Sequence, residues 1–96
     1  MTRENIENII LNCLGHYKPE RIGIFGSYAR HQESADSDID LLVKFKSIPS
    51  LLLLIKIENE LSEKLGFKVD LLTDGAITNK RIKKSIQQDL HIIYNA

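Results

Sequence analysis

The chain has 96 residues, 13 basic and 13 acidic side chains, zero formal net charge and 43% hydrophobic residues. Residues 1–96 are therefore expected to form one domain that buries about 60–65% of its unfolded surface, with no room for separate acceptor or nucleic-acid modules, and its neutral charge gives no long-range field to draw it onto RNA or DNA. The single cysteine, Cys13, excludes an internal disulfide and argues against a zinc cluster.

The N-terminus, Met1 to Asn5, runs straight into an amphipathic pattern with no secretory segment, and a cytoplasmic setting is the expectation. Ile6, Ile9, Ile10, Cys13, Leu14 and Tyr17 follow the spacing of a helix with one buried face, which makes Cys13 a small core hydrophobe. Lys18-Pro19-Glu20 breaks that helix, and Arg21 to Phe25 reads as a short buried strand. It stops at Gly26-Ser27, before a short helical pattern from Tyr28 to Gln32.

A polar, turn-like stretch leads into a second strand, Ser37 to Phe45, rich in β-branched and apolar residues. Ile48-Pro49-Ser50 then introduces a long helix, with proline tolerated in its first turn, running to about Leu65 with Gly66 as its C′ residue. Leu51, Leu54, Ile55, Leu61 and Leu65 are expected to face a sheet, and Glu58, Glu60, Glu63 and Lys64 to face water. Leu52 and Leu53 widen the stripe, either as over-wide core packing or as a partner surface. The run Leu51 to Ile55 is far too short to span a membrane.

Phe67 to Leu72 reads as a third strand with Asp70 on the face shared by Lys68 and Leu72. The last helix is expected near Thr78, with Thr78 as cap, Ile77 and Ile82 as a hydrophobic staple, and Ile82, Ile86 and Leu90 as the packed stripe. Lys80, Arg81, Lys83 and Lys84 crowd its first turns, where cations oppose the helix dipole. They either meet a triphosphate or an acidic partner, or form a solvated face. The fold class is α/β (α+β), a small mixed β-sheet with helices packed on it.

Two devices in residues 26–40 carry chemistry. A strand that runs through Gly26-Ser27 into a helix aims unpaired backbone N–H groups outward, and such a terminus binds anionic oxygens. Gly26 allows phosphate to approach the backbone; Ser27 either donates its hydroxyl to phosphate or only caps the helix. Asp38 and Asp40, two apart on a strand, share a face with Cα atoms roughly 6.6 Å apart. Paired carboxylates invite a hard divalent cation, Mg²⁺ or Mn²⁺. Asp70 is a third acid among apolar neighbours and needs a cation or a hydrogen-bonded partner there, unless its strand is an exposed edge. Arg30 pairs either with phosphate or with Glu33 or Asp36. His16, His31 and His91 have no metal-site spacing.

The strings Gly26-Ser27-Tyr28-Ala29-Arg30, Ser37-Asp38-Ile39-Asp40-Leu41-Leu42-Val43 and Lys68-Val69-Asp70-Leu71-Leu72 together resemble the minimal nucleotidyltransferase domain of the DNA polymerase β superfamily. Within it the likeness is to the antitoxins of HEPN–MNT pairs. The resemblance spans nearly the whole chain and departs at His31, where the family often has glycine. It implies a polymerase β-like nucleotidyltransferase fold, with Gly26 and Ser27 on the triphosphate and Asp38, Asp40 and Asp70 as metal-binding, catalytic acids on two ions. The implied reaction is AMP transfer from ATP to a hydroxyl, a tyrosine, on a HEPN-domain (HepT-like) ribonuclease toxin, with no nucleic acid or membrane bound directly. The alternatives are an antitoxin that acts by binding alone, or a small-molecule nucleotidyltransferase of aminoglycoside type.

Overall fold

The computed structural model describes residues 2–29 and 38–96. Helix α1 spans Arg3–Leu14, capped by Thr2, whose Oγ1 accepts from the Asn5 amide at 3.1 Å. Ile6, Ile10, Cys13 and Leu14 form its buried stripe, as the spacing predicts. A 3₁₀ turn, Gly15–Tyr17, and Lys18 at φ +53° reverse the chain. Strand β1 then begins at Pro19, earlier than expected, and runs to Phe25. Helix α2 is described over Gly26–Ala29, so it starts at the glycine and not at Tyr28; the rest of the expected helical pattern, residues 30–32, lies outside the described residues.

Strand β2, Ile39–Phe45, and strand β3, Val69–Thr73, are parallel, and helix α3, Leu51–Leu65, makes the crossover between them. Helix α4, Lys80–Asp89, is followed by strand β4, His91–Asn95. The sheet order is β3-β2-β1-β4, with β1 antiparallel to both β2 and β4. The mixed sheet with packed helices agrees with the expected fold class. No helix among the described residues is long and apolar enough to cross a membrane.

Strand alternation divides the sheet into two chemically different faces. Ile22 and Ile24 of β1, Ile39, Leu41 and Val43 of β2, and Val69 of β3 pack with α1 and with Ile57, Leu61 and Leu65 of α3 into the main core. The opposite face carries the rows Phe25–Asp40–Asp70 and Gly23–Leu42–Leu72, set by the strand register. Helix α4 lies against β1 and α2, and Leu90, the residue after its last, covers Gly23: a Cβ at position 23 would stand 2.5 Å from Leu90 Cδ1.

Several boundaries and facings differ from the sequence reading. Pro49 precedes the α3 cap and does not enter the first turn; Ser50 is the cap, its Oγ accepting from Leu53 N at 3.2 Å. The buried residues of α3 are Ile57, Leu61 and Leu65. Leu51 and Leu52 are 73% and 81% exposed, and Ile55 is exposed as well. At 3.6 residues per turn, Ile55 lies about 160° around the helix from Ile57, so one face cannot hold both. Glu58 does not face water, because its Oε2 accepts from the Leu71 amide at 2.8 Å.

In α4 the cap is Asn79 and not Thr78, its Oδ1 accepting from the amides of Arg81 and Ile82. That one-residue shift moves the staple positions to Thr78 and Lys83, so Ile82 loses its partner and is 54% exposed, while Ile86 is buried. Strand β4 has no sequence-level expectation, because an edge strand with both faces largely open shows little alternation. Gly66, at φ +80°, ends α3 as expected.

Candidate active site

The register of β1, β2 and β3 brings the candidate residues to one end of the sheet. Phe25, the last residue of β1, pairs with Asp40, and Asp40 pairs with Asp70 across the parallel β2–β3 ladder. In-register residues share a face, so the two carboxylates stand side by side, one strand spacing or about 4.8 Å apart at the backbone. Asp38 immediately precedes β2 and is partly exposed. Its amide neighbour, Ile39, donates to Lys68 O at 3.0 Å, which ties the entrance of β2 to the entrance of β3.

Gly26 turns the chain at φ +78°, and a Cβ there would collide with Asp40 Oδ2. The left-handed backbone and the contact both demand glycine. The turn and the carboxylate are thus touching neighbours, and a group bound at one also meets the other. Helix α2 is held from below: the Arg3 guanidinium stacks 4.1 Å from the centroid of the buried Tyr28 ring and donates from Nη2 to Tyr28 O at 2.6 Å. Sequence reasoning missed Arg3, since nothing local marks a cation that reaches across 25 residues.

Asp70 is positioned by groups outside its own strand. Because β3 is a sheet edge, its outward amides need partners, and α3 supplies them: Ser62 Oγ accepts from Val69 N at 3.0 Å and Glu58 Oε2 from Leu71 N. The two bonds flank Asp70 and hold its segment straight. Lys68 Nζ lies 3.9 Å from Asp70 Oδ1, with both side chains substantially exposed, a pairing worth at most about 1 kcal/mol. An edge position was one of the two readings left open for Asp70; the structure combines it with a place beside Asp40.

The three acids do not form a closed cage. Among the described residues no group of three His, Cys, Asp or Glu side chains converges closely enough to hold an ion unaided. The donor chemistry nonetheless fits Mg²⁺, which takes only one or two protein carboxylates and completes its shell with water and substrate phosphates. Arg30, His31 and the first residue of the expected strand, Ser37, lie outside the described residues, and the expected role of the Ser27 hydroxyl is likewise outside the described side chains.

A sheet with two acids on adjacent strand entrances, opened by a glycine turn and a helical turn, defines a nucleotidyltransferase. The family model "Polymerase beta, Nucleotidyltransferase" matches residues 5–96, and the chain belongs to that family. It is 36% identical over 99 residues to the protein adenylyltransferase MntA of Thermococcus cleftensis, covering 96% of this chain and 97% of that one. MJ0128 of Methanocaldococcus jannaschii, provisionally named a protein adenylyltransferase, is 53% identical over 74 residues, which is 77% of this chain and 76% of the relative. In fold the chain is similar to one from a complex of tri-AMPylated HEPN toxin with MNT antitoxin of Shewanella oneidensis, with a TM-score of 0.81 at 20% identity, covering 99% of this chain and 74% of that one.

Proposed function

We propose that this nucleotidyltransferase is an antitoxin that transfers AMP from ATP to a tyrosine hydroxyl of a HEPN-domain (HepT-like) toxin. The observation that carries the reading is the contact of the Gly26 turn with Asp40, itself in register with Asp70. The names of the relatives support the protein acceptor, and the toxin–antitoxin complex similar in fold supports its identity. Use of ATP supports a cytoplasmic setting.

Gly26 and Ser27 hold the β- and γ-phosphates, and Arg30, which lies outside the described residues, is assigned a phosphate-pairing role. Asp38, Asp40 and Asp70 would hold the divalent ions, two Mg²⁺ or Mn²⁺, which when bound neutralise phosphate charge and lower the acceptor hydroxyl's pKa. Asp70 lies on the outer strand, open to an approaching protein, and helps orient and deprotonate the hydroxyl. The acceptor oxygen bonds to the α-phosphorus, the bond from that phosphorus to the bridging oxygen breaks, the hydroxyl proton departs, and pyrophosphate leaves.

The test mixes the purified chain with a HEPN-domain (HepT-like) protein from the same organism, Mg²⁺ and ATP labelled at the α-phosphate. Label on a partner tyrosine, lost with EDTA and in the Asp38→Ala/Asp40→Ala variant, is the expected result. A partner that stays unlabelled refutes the transfer, and a double variant that still silences the toxin in cells assigns the antitoxin effect to binding alone.

A further inference from the structure

Arg3 is the first residue of α1, where a cation opposes the helix dipole, and it stands outside the buried stripe of Ile6, Ile10, Cys13 and Leu14. The stability of α1 therefore does not explain it. What Arg3 reaches is α2. Its guanidinium lies 4.1 Å from the centroid of the Tyr28 ring, and its Nη2 donates to Tyr28 O at 2.6 Å. A planar guanidinium makes both contacts at once, whereas an ammonium has no flat face to lay on a ring. Tyr28 is only 6% exposed, so the guanidinium rests on a ring that the core already holds in place.

The direction of the hydrogen bond bears on the site. Helix carbonyls point toward the C-terminus and helix amides toward the N-terminus, so a donor on Tyr28 O holds α2 from the side opposite to the amides of Gly26 and Ser27. At that other end Gly26 lies against the Asp40 carboxylate. The turn is thus set between Asp40 at its start and Arg3 behind it, and its two holders come from distant parts of the chain.

We infer that Arg3 is a positioning residue for the nucleotide: by holding Tyr28 it fixes the Gly26–Ser27 turn against Asp40 and so sets the affinity for ATP. This rests on the phosphate-binding role proposed above for that turn. A turn fixed in advance need not be ordered when the nucleotide arrives. Without Arg3 the competent arrangement is populated for only a fraction of the time, and apparent affinity falls by that fraction.

The test compares wild type, Arg3→Lys and Arg3→Ala, with no acceptor protein present. Backbone order parameters of residues 26–29 are measured by NMR relaxation without nucleotide, and Mg²⁺–ATP affinity by calorimetry. Because the buried stripe of α1 does not include Arg3, both variants are expected to fold, with melting temperatures within roughly 8 °C of wild type. Order parameters are expected near 0.85 in wild type and below about 0.7 in Arg3→Ala, with ATP binding about fivefold weaker or more. Arg3→Lys, which still donates but does not stack, is expected to fall between the two. Weaker ATP binding with unchanged order parameters overturns the inference, because Arg3 would then meet the nucleotide directly. Looser residues 26–29 with unchanged ATP binding also overturn it, since the contact would then serve the fold alone, as do wild-type values of both in Arg3→Ala. Failure of the phosphate-binding reading shows separately, as Gly26 and Ser27 amide signals of wild type that Mg²⁺–ATP leaves unmoved.

Discussion

At the scale of single residues, Gly26 is the position with least freedom. Its φ of +78° and the contact that any Cβ would make with Asp40 Oδ2 act together. An L-residue pays about 1–2 kcal/mol for the left-handed conformation, and relief of the collision must move the Asp40 carboxylate. Gly26→Ala is expected to lower stability by that amount and to cut transfer by about 10²-fold or more, since displacements near 1 Å at a reacting centre cost that much. Thermal unfolding and the initial labelling rate measure the two effects. An active variant with wild-type rate would show that Asp40 does not need its present place.

The elements show how a small sheet protects its open side. Strand β3 is an edge whose outward amides, Val69 and Leu71, are taken up by Ser62 and Glu58 of α3, so the crossover helix also serves as the edge's cover. A hydrogen bond to a charged acceptor contributes about 1.5–3 kcal/mol, and Glu58→Ala should destabilise within that range. With a domain of this size, that is a melting-temperature fall of roughly 6–24 °C. Amide exchange at Leu71 should quicken, and Glu58→Gln, which keeps a neutral acceptor, should recover about half of the loss. Because the same bonds flank Asp70, Glu58→Ala is also expected to lower activity more than it lowers nucleotide binding.

For the whole molecule, the core rests on α1 and α3 closing one face of the sheet, and Cys13 sits inside it at 2% exposure. Burial first, and the nearby Glu60 carboxylate second, push its thiol above the ordinary value of 9.0. The folded state therefore holds its proton more tightly than the unfolded chain. The associated stability is complete below pH 9.0, the unfolded value, and is lost as pH rises through the folded one. Cys13→Ala removes this contribution along with about 1 kcal/mol of packing. The gap in melting temperature between wild type and Cys13→Ala is expected to be constant from pH 6 to about 8 and to narrow above about 9; a gap that widens with pH would contradict it.

Local patterning was enough to read the strands that carry Asp40 and Asp70, the turn at Gly26 and the β-sheet with its long helices, because strand alternation, helix period and glycine turns are written within a few residues of one another; Asp38, expected on the second strand, lies just before it. The facings of α3 and α4 were not legible. Leu51, Leu52 and Ile55 are as apolar as Ile57 and Leu61, and Ile82 lies on the side of the buried Ile86 yet is exposed in the first turn of α4; both depend on what the helix is laid against. Arg3 beneath Tyr28, Glu58 on the β3 edge and Leu90 over Gly23 are long-range contacts without a local signature. By itself the sequence determined the chemistry available to this protein, since side-chain type and spacing are local properties. Only the tertiary structure decided that Asp40 and Asp70 stand in register beside the glycine turn, because strand order and register are set by packing between segments far apart in the chain.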